Sequence, residues 1–135
     1  MISEKYMSGN KTFELFELSK ISNNGGNATL RISLSEQEEG LLGYRKSGTT
    51  FGGHWHEGKS ISKNPETVYL LDGMLELRTK HINSHITENT RLKAPIGVRI
   101  WPNTWHQLYA LTNVCFLELN SLEEHIADTK YPNVE

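Results

Sequence analysis

Short segments rich in β-branched and aromatic residues, separated by turn residues, set the strongest limit on how this chain can fold. Helical periodicity is almost absent, and these segments recur along most of the sequence. Many short strands at this spacing are typical of a barrel, a jelly roll or a sandwich rather than of alternating β-α units. The sequence therefore predicts an all-β fold, with strands over 11–18, 28–35, 49–56, 66–71, 74–80, 97–101, 106–110 and 114–119.

Turn residues separate the predicted strands. They form an Asn-Asn-Gly-Gly run at 23–26, an Asp-Gly pair at 72–73 and a Thr-Asn pair at 112–113. Asp-Gly between two apolar runs is a strong hairpin signal, so we expect 66–80 to form one hairpin. Residues 121–135 are polar and compatible with one helical turn, followed by a tail that either lies across the barrel or frays.

Length and charge narrow the classes of protein to consider. A chain of 135 residues is about one domain long, so we expect a single domain over 1–135, with a barrel core at about 40–120 and a polar C-terminal tail at 121–135. The net charge is −2, from 14 basic and 16 acidic side chains. Such a balance provides no long-range field that would gather nucleic acid or an anionic membrane. We expect neither as a partner.

Cysteine content and the N-terminal residues bear on the compartment. Cys115 is the one cysteine, so the chain has no internal disulfide, which fits a reducing cytoplasm. Residues 1–13 lack the apolar run of a secretion signal, and no stretch approaches the roughly 20 apolar residues that span a bilayer. We therefore expect a cytoplasmic protein.

A His-x-His pair, His54 and His56, is the clearest chemical signal. Side chains two apart in a strand point to the same face, so the two imidazoles would project side by side while Trp55 points the other way. Glu66 opens the next predicted strand and His106 begins a later one, and closing the sheet into a barrel would bring both to the pair. Three imidazoles and a carboxylate form a mixed N/O site for Fe, Mn, Zn or Ni with positions left open for substrate. The alternative is a metal-free barrel in which these histidines are hydrogen-bonded core residues.

The spacing around these residues resembles the two motifs of the cupin superfamily. The first motif is Gly, five residues, His-x-His, a short gap, Glu, six residues and Gly. The second is Pro-x-Gly-x-x-His. The matching residues are Gly48, His54, His56, Glu66 and Gly73, followed by Pro102, Asn103 and His106.

The chain departs from the family pattern at three places. Asn103 replaces a glycine, which is a mild change because Asn tolerates left-handed backbone. Ala110 stands where the second motif usually has Asn. Nine residues separate His56 from Glu66 instead of about three or four. Glu57 is nearer, but as the neighbour of His56 in a strand it should face away from the pair, so we expect Glu66 to be the fourth ligand.

The resemblance carries further expectations. It implies a double-stranded β-helix fold, which is the cupin jelly-roll barrel, with a small-molecule pocket inside the barrel and a tendency to form homodimers. It also implies a divalent metal ion as cofactor, held by His54, His56, Glu66 and His106.

Several other residues are candidates for roles at the site. Glu118 interrupts the apolar run 114–119, and a carboxylate in a buried strand needs a partner or a catalytic role, so it is our candidate general acid or base. The alternative is that alternation places Glu118 on the solvated face, with Cys115 and Leu117 inward. Tyr44, Arg45 and Lys46 are candidates for orienting an anionic substrate. We expect His81, His85 and His125 to be surface histidines.

Three functions remain open at this point. First, the resemblance to small cupins implies a metal-dependent enzyme that acts on a hydroxylated or keto compound, such as a sugar isomerase. A carboxylate such as Glu118 would move the proton. Three histidines and one glutamate also suit a non-haem iron dioxygenase. The third possibility is a sugar-binding module without catalysis.

Overall fold

Antiparallel strands make up most of the fold. The computed structural model describes residues 5–9, 12–35 and 38–132. The strands are β1 (Lys5–Gly9), β2 (Glu14–Glu17), β3 (Ser19–Asn24), β4 (Asn27–Ser33), β5 (Glu39–Arg45), β6 (Thr50–His56), β7 (Glu66–Asp72), β8 (Met74–His81), β9 (Glu88–Lys93), β10 (Ile96–Ile100), β11 (Thr104–Ala110), β12 (Val114–Glu118) and β13 (Thr129–Lys130), and the helix is α1 (Leu122–Ala127).

Two sheets enclose the core. The six-stranded sheet has the order β10-β7-β12-β5-β4-β3, and the five-stranded sheet has the order β13-β6-β11-β8-β9. Because consecutive strands often lie in different sheets, the chain winds around the core as a double-stranded β-helix. The predicted fold class is therefore confirmed.

Both sheets contribute equally to the apolar core. Period-2 alternation turns one face of each sheet inward, and those faces carry the buried side chains. The six-stranded sheet supplies Val68, Leu70, Ile100, Val114 and Phe116, and the five-stranded sheet supplies Leu75, Leu77, Leu92, Leu108 and Ala110.

The predicted hairpin over 66–80 is wrong. β7 pairs with β10 and β12, whereas β8 pairs with β9 and β11, so the chain crosses from one sheet to the other at Asp72-Gly73. Gly73 has φ 90°, and a Cβ there would lie 2.2 Å from the backbone oxygen of Asn113. Asn113 belongs to a second crossing, between β11 and β12, and the two corners pack together. An Asp-Gly signal locates a chain reversal but does not say which sheet the next strand joins.

Among the described residues, the sequence analysis missed five strands: β1, β3, β5, β9 and the two-residue β13. In β9 only Leu92 is buried, because the strand forms the exposed edge of its sheet. β5 lies inside its sheet but contains Gly43, where a Cβ would lie 2.2 Å from the ring of Phe116. Glycine lowers the strand signal at that position while making room for a core aromatic residue.

The C-terminal segment lies across the barrel. α1 begins after Ser121, whose hydroxyl accepts the Glu124 N–H at 3.0 Å, and this is the predicted helical turn. β13 then pairs with β6, with Thr129 opposite His56. Residues 121–132 of the predicted tail therefore lie across the barrel, and residues 133–135 lie outside the described part of the chain. Among the described residues, no helix is long and apolar enough to cross a membrane.

Candidate metal centre

The structure brings His54, His56, His106 and Glu66 together. β6 carries the first two histidines on one face, and His106 on β11 pairs in register with His54. One nitrogen from each imidazole lies within 4.8 Å of the others. Glu66 enters from the facing sheet, with Oε2 2.7 Å from His56 Nε2 and 3.3 Å from His106 Nε2. All four side chains are buried.

The long connection between His56 and Glu66 folds back onto the C-terminal segment. The carboxylate of Asp128 accepts the Glu57 N–H at 2.9 Å and the Ser60 N–H at 3.1 Å, and these bonds hold the loop closed. The Glu57 side chain turns away from the site towards Lys130, at 3.4 Å. The loop therefore delivers Glu66, and not Glu57, to the histidines.

Two backbone carbonyls orient the rings of His56 and His106. The Nδ1 of His56 lies 3.0 Å from the backbone oxygen of Asp128, and the Nδ1 of His106 lies 3.0 Å from that of Thr104. A carbonyl only accepts, so each Nδ1 carries the proton and each Nε2 presents a lone pair towards the site. This is the arrangement typical of metal-ligating histidines.

Two buried polar atoms in the described part of the chain lack a hydrogen-bond partner, and both face this site. They are His56 Nε2 and Glu66 Oε2. Buried polar atoms are normally paired, and two facing acceptors cannot satisfy each other. A cation between them would satisfy both, so the residues present fit a divalent metal ion.

The protonation states also suit a metal. Burial, followed by the neighbouring His106 and His56, lowers the pKa of His54 to about 3, so the ring is neutral at physiological pH. Burial alone would raise the pKa of Glu66. The positive charge of Lys63, whose Nζ lies 3.3 Å from Glu66 Oε1, is among the causes that outweigh burial and hold that pKa well below its usual range. The site thus offers a neutral His54 imidazole and an ionised Glu66 carboxylate.

A cavity of about 200 Å³ opens beside these residues inside the barrel. Its apolar wall consists of Phe51, Val68, Ile100, Leu108 and Phe116, and its polar wall includes His54, Glu66, His106 and Glu118. The pocket expected inside the barrel is therefore present and is continuous with the candidate metal centre.

Glu118 faces this cavity, so the alternative that placed it on the solvated face is wrong. It lines the cavity with Phe116, whereas Cys115 lies on the other face of β12. Burial, with the nearby charge of Glu66 as the second cause, raises the pKa of Glu118 from 4.5 to about 7. A carboxyl group with such a pKa holds or releases a proton near neutral pH.

Arg45 is the one member of the Tyr44-Arg45-Lys46 group that lines the cavity. Its guanidinium lies 5.4 Å from the ring centroid of Phe51 and 5.3 Å from that of Phe116. It also donates to the backbone oxygen of Ala28 at 2.9 Å. These contacts fix a positive charge at the apolar wall.

His125 is not a surface histidine, and that prediction is wrong. α1 places its ring at the cavity, 5.4 Å from the ring of His54 between centroids. Burial and the charge of Lys63 lower the pKa of His125 to about 4. Lys63, fully buried, contacts both His125 and Glu66. Sequence analysis missed both residues because a lysine in a polar turn and a histidine in a polar tail carry no local sign of burial.

His81, His85 and Trp55 lie outside the site. His81 and His85 are exposed, as predicted. Trp55 lines a groove on the outer surface with Trp105, which confirms that it points away from His54 and His56.

Comparison with solved structures identifies similar folds. Residues covering 93% of this chain match 37% of the capsular polysaccharide assembling protein CapF of Staphylococcus aureus, with a TM-score of 0.73 and 17% identity. The Drosophila melanogaster CENP-C cupin domain matches over 78% of this chain and 76% of its own, with a TM-score of 0.59 and 12% identity. Bacillus subtilis oxalate decarboxylase, described with Mn(II) centres, matches over 75% of this chain and 27% of its own, with a TM-score of 0.59 and 16% identity.

The similarity to these three proteins is a similarity of fold. The chain spans about a third of the length of CapF. No protein-family model and no curated protein sequence matches this chain.

Proposed function

Because this chain has the cupin fold, we propose that it is a metal-dependent enzyme that isomerises a small hydroxylated or keto sugar by moving a proton between adjacent carbons. The observation that carries the proposal is the position of Glu118. This half-buried carboxyl group faces the same cavity as His54, Glu66 and His106. An acid-base group beside a metal centre is what proton transfer next to a carbonyl requires.

His54, His56, His106 and Glu66 would hold a divalent ion, with Fe, Mn, Zn and Ni all compatible with this donor set. Such an ion acts as a Lewis acid that polarises a carbonyl or hydroxyl oxygen of the substrate. Four protein ligands leave positions free on an ion that prefers five or six. A small molecule in the cavity can reach those positions.

Glu118 would carry out the proton transfer. With a pKa of about 7, a substantial fraction of the group is ionised at neutral pH and can accept the proton from the carbon next to the carbonyl. The same carboxyl group then returns that proton to the neighbouring carbon, while the hydroxyl proton passes between the two substrate oxygens. Substrate and product are isomers, so the reaction requires no oxidant or reductant.

The cavity suits a small, polar substrate. Its volume of about 200 Å³ is below the roughly 300–1,000 Å³ of typical ligand pockets. Arg45 and His125 both line the cavity and add hydrogen-bonding groups to its partly apolar lining. CapF is described as assembling capsular polysaccharide, which supports a sugar as the substrate class here.

Deuterium exchange tests the proposal without knowledge of the substrate. Metal-loaded protein in D₂O is mixed with a panel of keto and aldo sugars, and carbon-bound deuterium is followed by NMR. We expect exchange with at least one sugar, and a loss of about a hundredfold or more in Glu118→Gln. The matched control is Glu88→Gln, which changes an exposed carboxylate at the start of β9 and should retain full exchange. Equal exchange in both variants would exclude Glu118 as the acid-base group.

Oxygen chemistry is the second candidate. Three histidines and a glutamate also suit non-haem iron, and the oxalate decarboxylase of similar fold is described with Mn(II) centres. Bound Fe(II) together with substrate-dependent oxygen consumption would favour a dioxygenase. Sugar binding without exchange or oxygen consumption would favour a non-catalytic binding module.

A further inference from the structure

His125 lies at the candidate metal centre but differs from the other histidines there. Its ring centroid is 5.4 Å from that of His54 and 5.6 Å from that of His56. Nevertheless, the set of ligand nitrogens within 4.8 Å of one another comprises His54, His56 and His106 only, among the described residues. Glu66 also lies outside this set but contacts His56 and His106 directly, whereas the hydrogen bond that the structure describes for the His125 ring is with Lys63.

Lys63 defines the environment of His125. This lysine has 0% exposure, and its Nζ lies 2.9 Å from His125 Nδ1, 3.2 Å from Asn120 Oδ1 and 3.3 Å from Glu66 Oε1. An ammonium group has three N–H donors and no acceptor, and here it has three acceptors. Each donor thus has one partner, and His125 Nδ1 must receive one of the three hydrogen bonds.

The hydrogen bond from Lys63 selects the tautomer of His125. A neutral imidazole that accepts at Nδ1 carries its proton on Nε2. His56 and His106 show the reverse arrangement, because their Nδ1–H groups donate to backbone carbonyls and Nε2 is left with its lone pair. The backbone carbonyls thus favour the tautomer that can bind a metal at His56 and His106, whereas Lys63 favours the tautomer that can donate a hydrogen bond at His125.

We propose that Lys63 holds His125 as the Nε2–H tautomer, so that His125 donates a hydrogen bond to a ligand oxygen in the cavity and does not coordinate the metal. Within the described part of the chain, the His125 ring makes no hydrogen bond besides the one to Lys63, which leaves Nε2–H for the cavity. Only the identity of the acceptor rests on the proposed function. Under that function, the acceptor is the sugar oxygen that gains negative charge when the neighbouring carbon loses its proton. A fixed donor aimed at such an oxygen stabilises the charge.

Lys63 is a positioning residue in this account. It reaches the cavity through His125 on one side and through Glu66 on the other. A single buried ammonium thus orients a substrate-side donor and a candidate metal ligand together.

Histidine ¹⁵N NMR tests the tautomers directly, since protonated and unprotonated ring nitrogens have well-separated shifts. The six histidines are assigned by single His→Gln variants of the metal-free protein. We expect a protonated Nε2 and an unprotonated Nδ1 for His125, and the reverse for His56 and His106. After Zn²⁺ is added, the Nε2 signals of His56 and His106 should shift, and His125 should keep its Nε2 proton. A His125 with a protonated Nδ1, or one that loses its Nε2 proton to Zn²⁺, would overturn the proposal.

Variants of Lys63 test the positioning role. Lys63→Met removes the donor, so His125 should become a mixture of tautomers while His106 keeps its own. Lys63→Gln supplies an amide donor of similar length and should restore the Nε2–H form at least in part. An unchanged His125 tautomer in folded Lys63→Met would show that Lys63 does not set it. If Lys63→Met does not fold, the ring-nitrogen shifts of His125 in protein that keeps Lys63 decide the proposal, and a protonated Nδ1 there would refute it.

Zn²⁺ stoichiometry provides a second readout. His125→Gln should bind Zn²⁺ as fully as the matched control His85→Gln, which changes an exposed histidine, whereas His54→Ala should lose binding. Loss of Zn²⁺ in His125→Gln but not in His85→Gln would make His125 a ligand and refute the proposal. Both readouts use protein and Zn²⁺ only, so a failure to find sugar exchange would count against the proposed function without affecting this test.

Discussion

Replacing Glu118 with glutamine should stabilise the metal-free protein by an amount that grows with pH. The carboxyl group faces the cavity, and burial together with the charge of Glu66 raises its pKa from 4.5 to about 7. Glutamine has nearly the same shape and never ionises. The variant therefore avoids the cost of holding a buried charge.

The sign follows from proton linkage. Between about pH 4.5 and about pH 7 the folded protein keeps a proton on Glu118 that the unfolded chain releases, so the free energy of unfolding falls as pH rises through this range. At about 1.36 kcal/mol per pKa unit, the rise from 4.5 to about 7 corresponds to roughly 3 kcal/mol. Glu118→Gln does not undergo this loss of stability. Its free energy of unfolding should therefore exceed that of wild type by nearly the full amount at about pH 8.

Urea unfolding in EDTA measures this advantage. Wild type and Glu118→Gln are compared at about pH 5 and about pH 8, and the difference in unfolding free energy should increase by roughly 2–3 kcal/mol between them. The low pKa values of His54 and His125 destabilise both proteins in acid and cancel in the comparison. Glu88→Gln should show no pH-dependent difference. A difference that is constant with pH, or that shrinks as pH rises, would refute the burial of an ionisable Glu118.

Three further predictions concern the corners, the metal and the surface. Gly73→Ala should lower the free energy of unfolding in urea by at least about 1 kcal/mol more than Gly48→Ala does. The backbone φ is similar at the two sites, but only at Gly73 would a Cβ meet backbone, 2.2 Å from the oxygen of Asn113. Equal losses of stability would contradict the packing of the two corners. Zn²⁺ at about a hundred times its Kd should raise the unfolding free energy by about 2.7 kcal/mol in wild type and not in His54→Ala, and an equal response in both would place the ion elsewhere. Two copies should associate through the exposed apolar side chains of β1 and β2. Light scattering should therefore give a mass of twice 15.4 kDa for wild type and a smaller mass for Phe16→Glu. A monomeric wild type would contradict this prediction.

Features encoded over a few residues could be predicted from the sequence. The alternation of a strand places His54 and His56 on the buried face of β6 and Trp55 on the outer surface. Asn103 adopts φ 61°, as expected for a residue that replaces glycine in the second motif. The helical turn expected in the polar segment 121–135 is present, and its cap, Ser121, lies within the same short stretch.

Features that depend on distant partners could not be predicted in this way. Alternation in β12 shows that Phe116 and Glu118 share one face and that Cys115 and Leu117 share the other, but both faces carry apolar residues. The inward face is decided by the sheet opposite, where the cavity leaves room for Glu118. The same holds for Asp72-Gly73, because the reversal is local while the choice of sheet depends on the whole barrel.

Buried polar residues from loops were the hardest to anticipate. Lys63 is buried because Glu66, Asn120 and His125 together supply acceptors for its ammonium group. Two of these acceptors lie far along the chain, in the C-terminal segment that folds over the barrel. No local composition signal reports a contact of this kind.

The most direct test of the account is the metal content of protein purified without added metal. Near-stoichiometric divalent metal is predicted for wild type and for the control His85→Gln, with loss in His54→Ala and in His106→Ala. Retention of the metal in both alanine variants, or its absence from wild type even after reloading, would contradict a metal centre at these residues and remove the basis for metal-dependent catalysis.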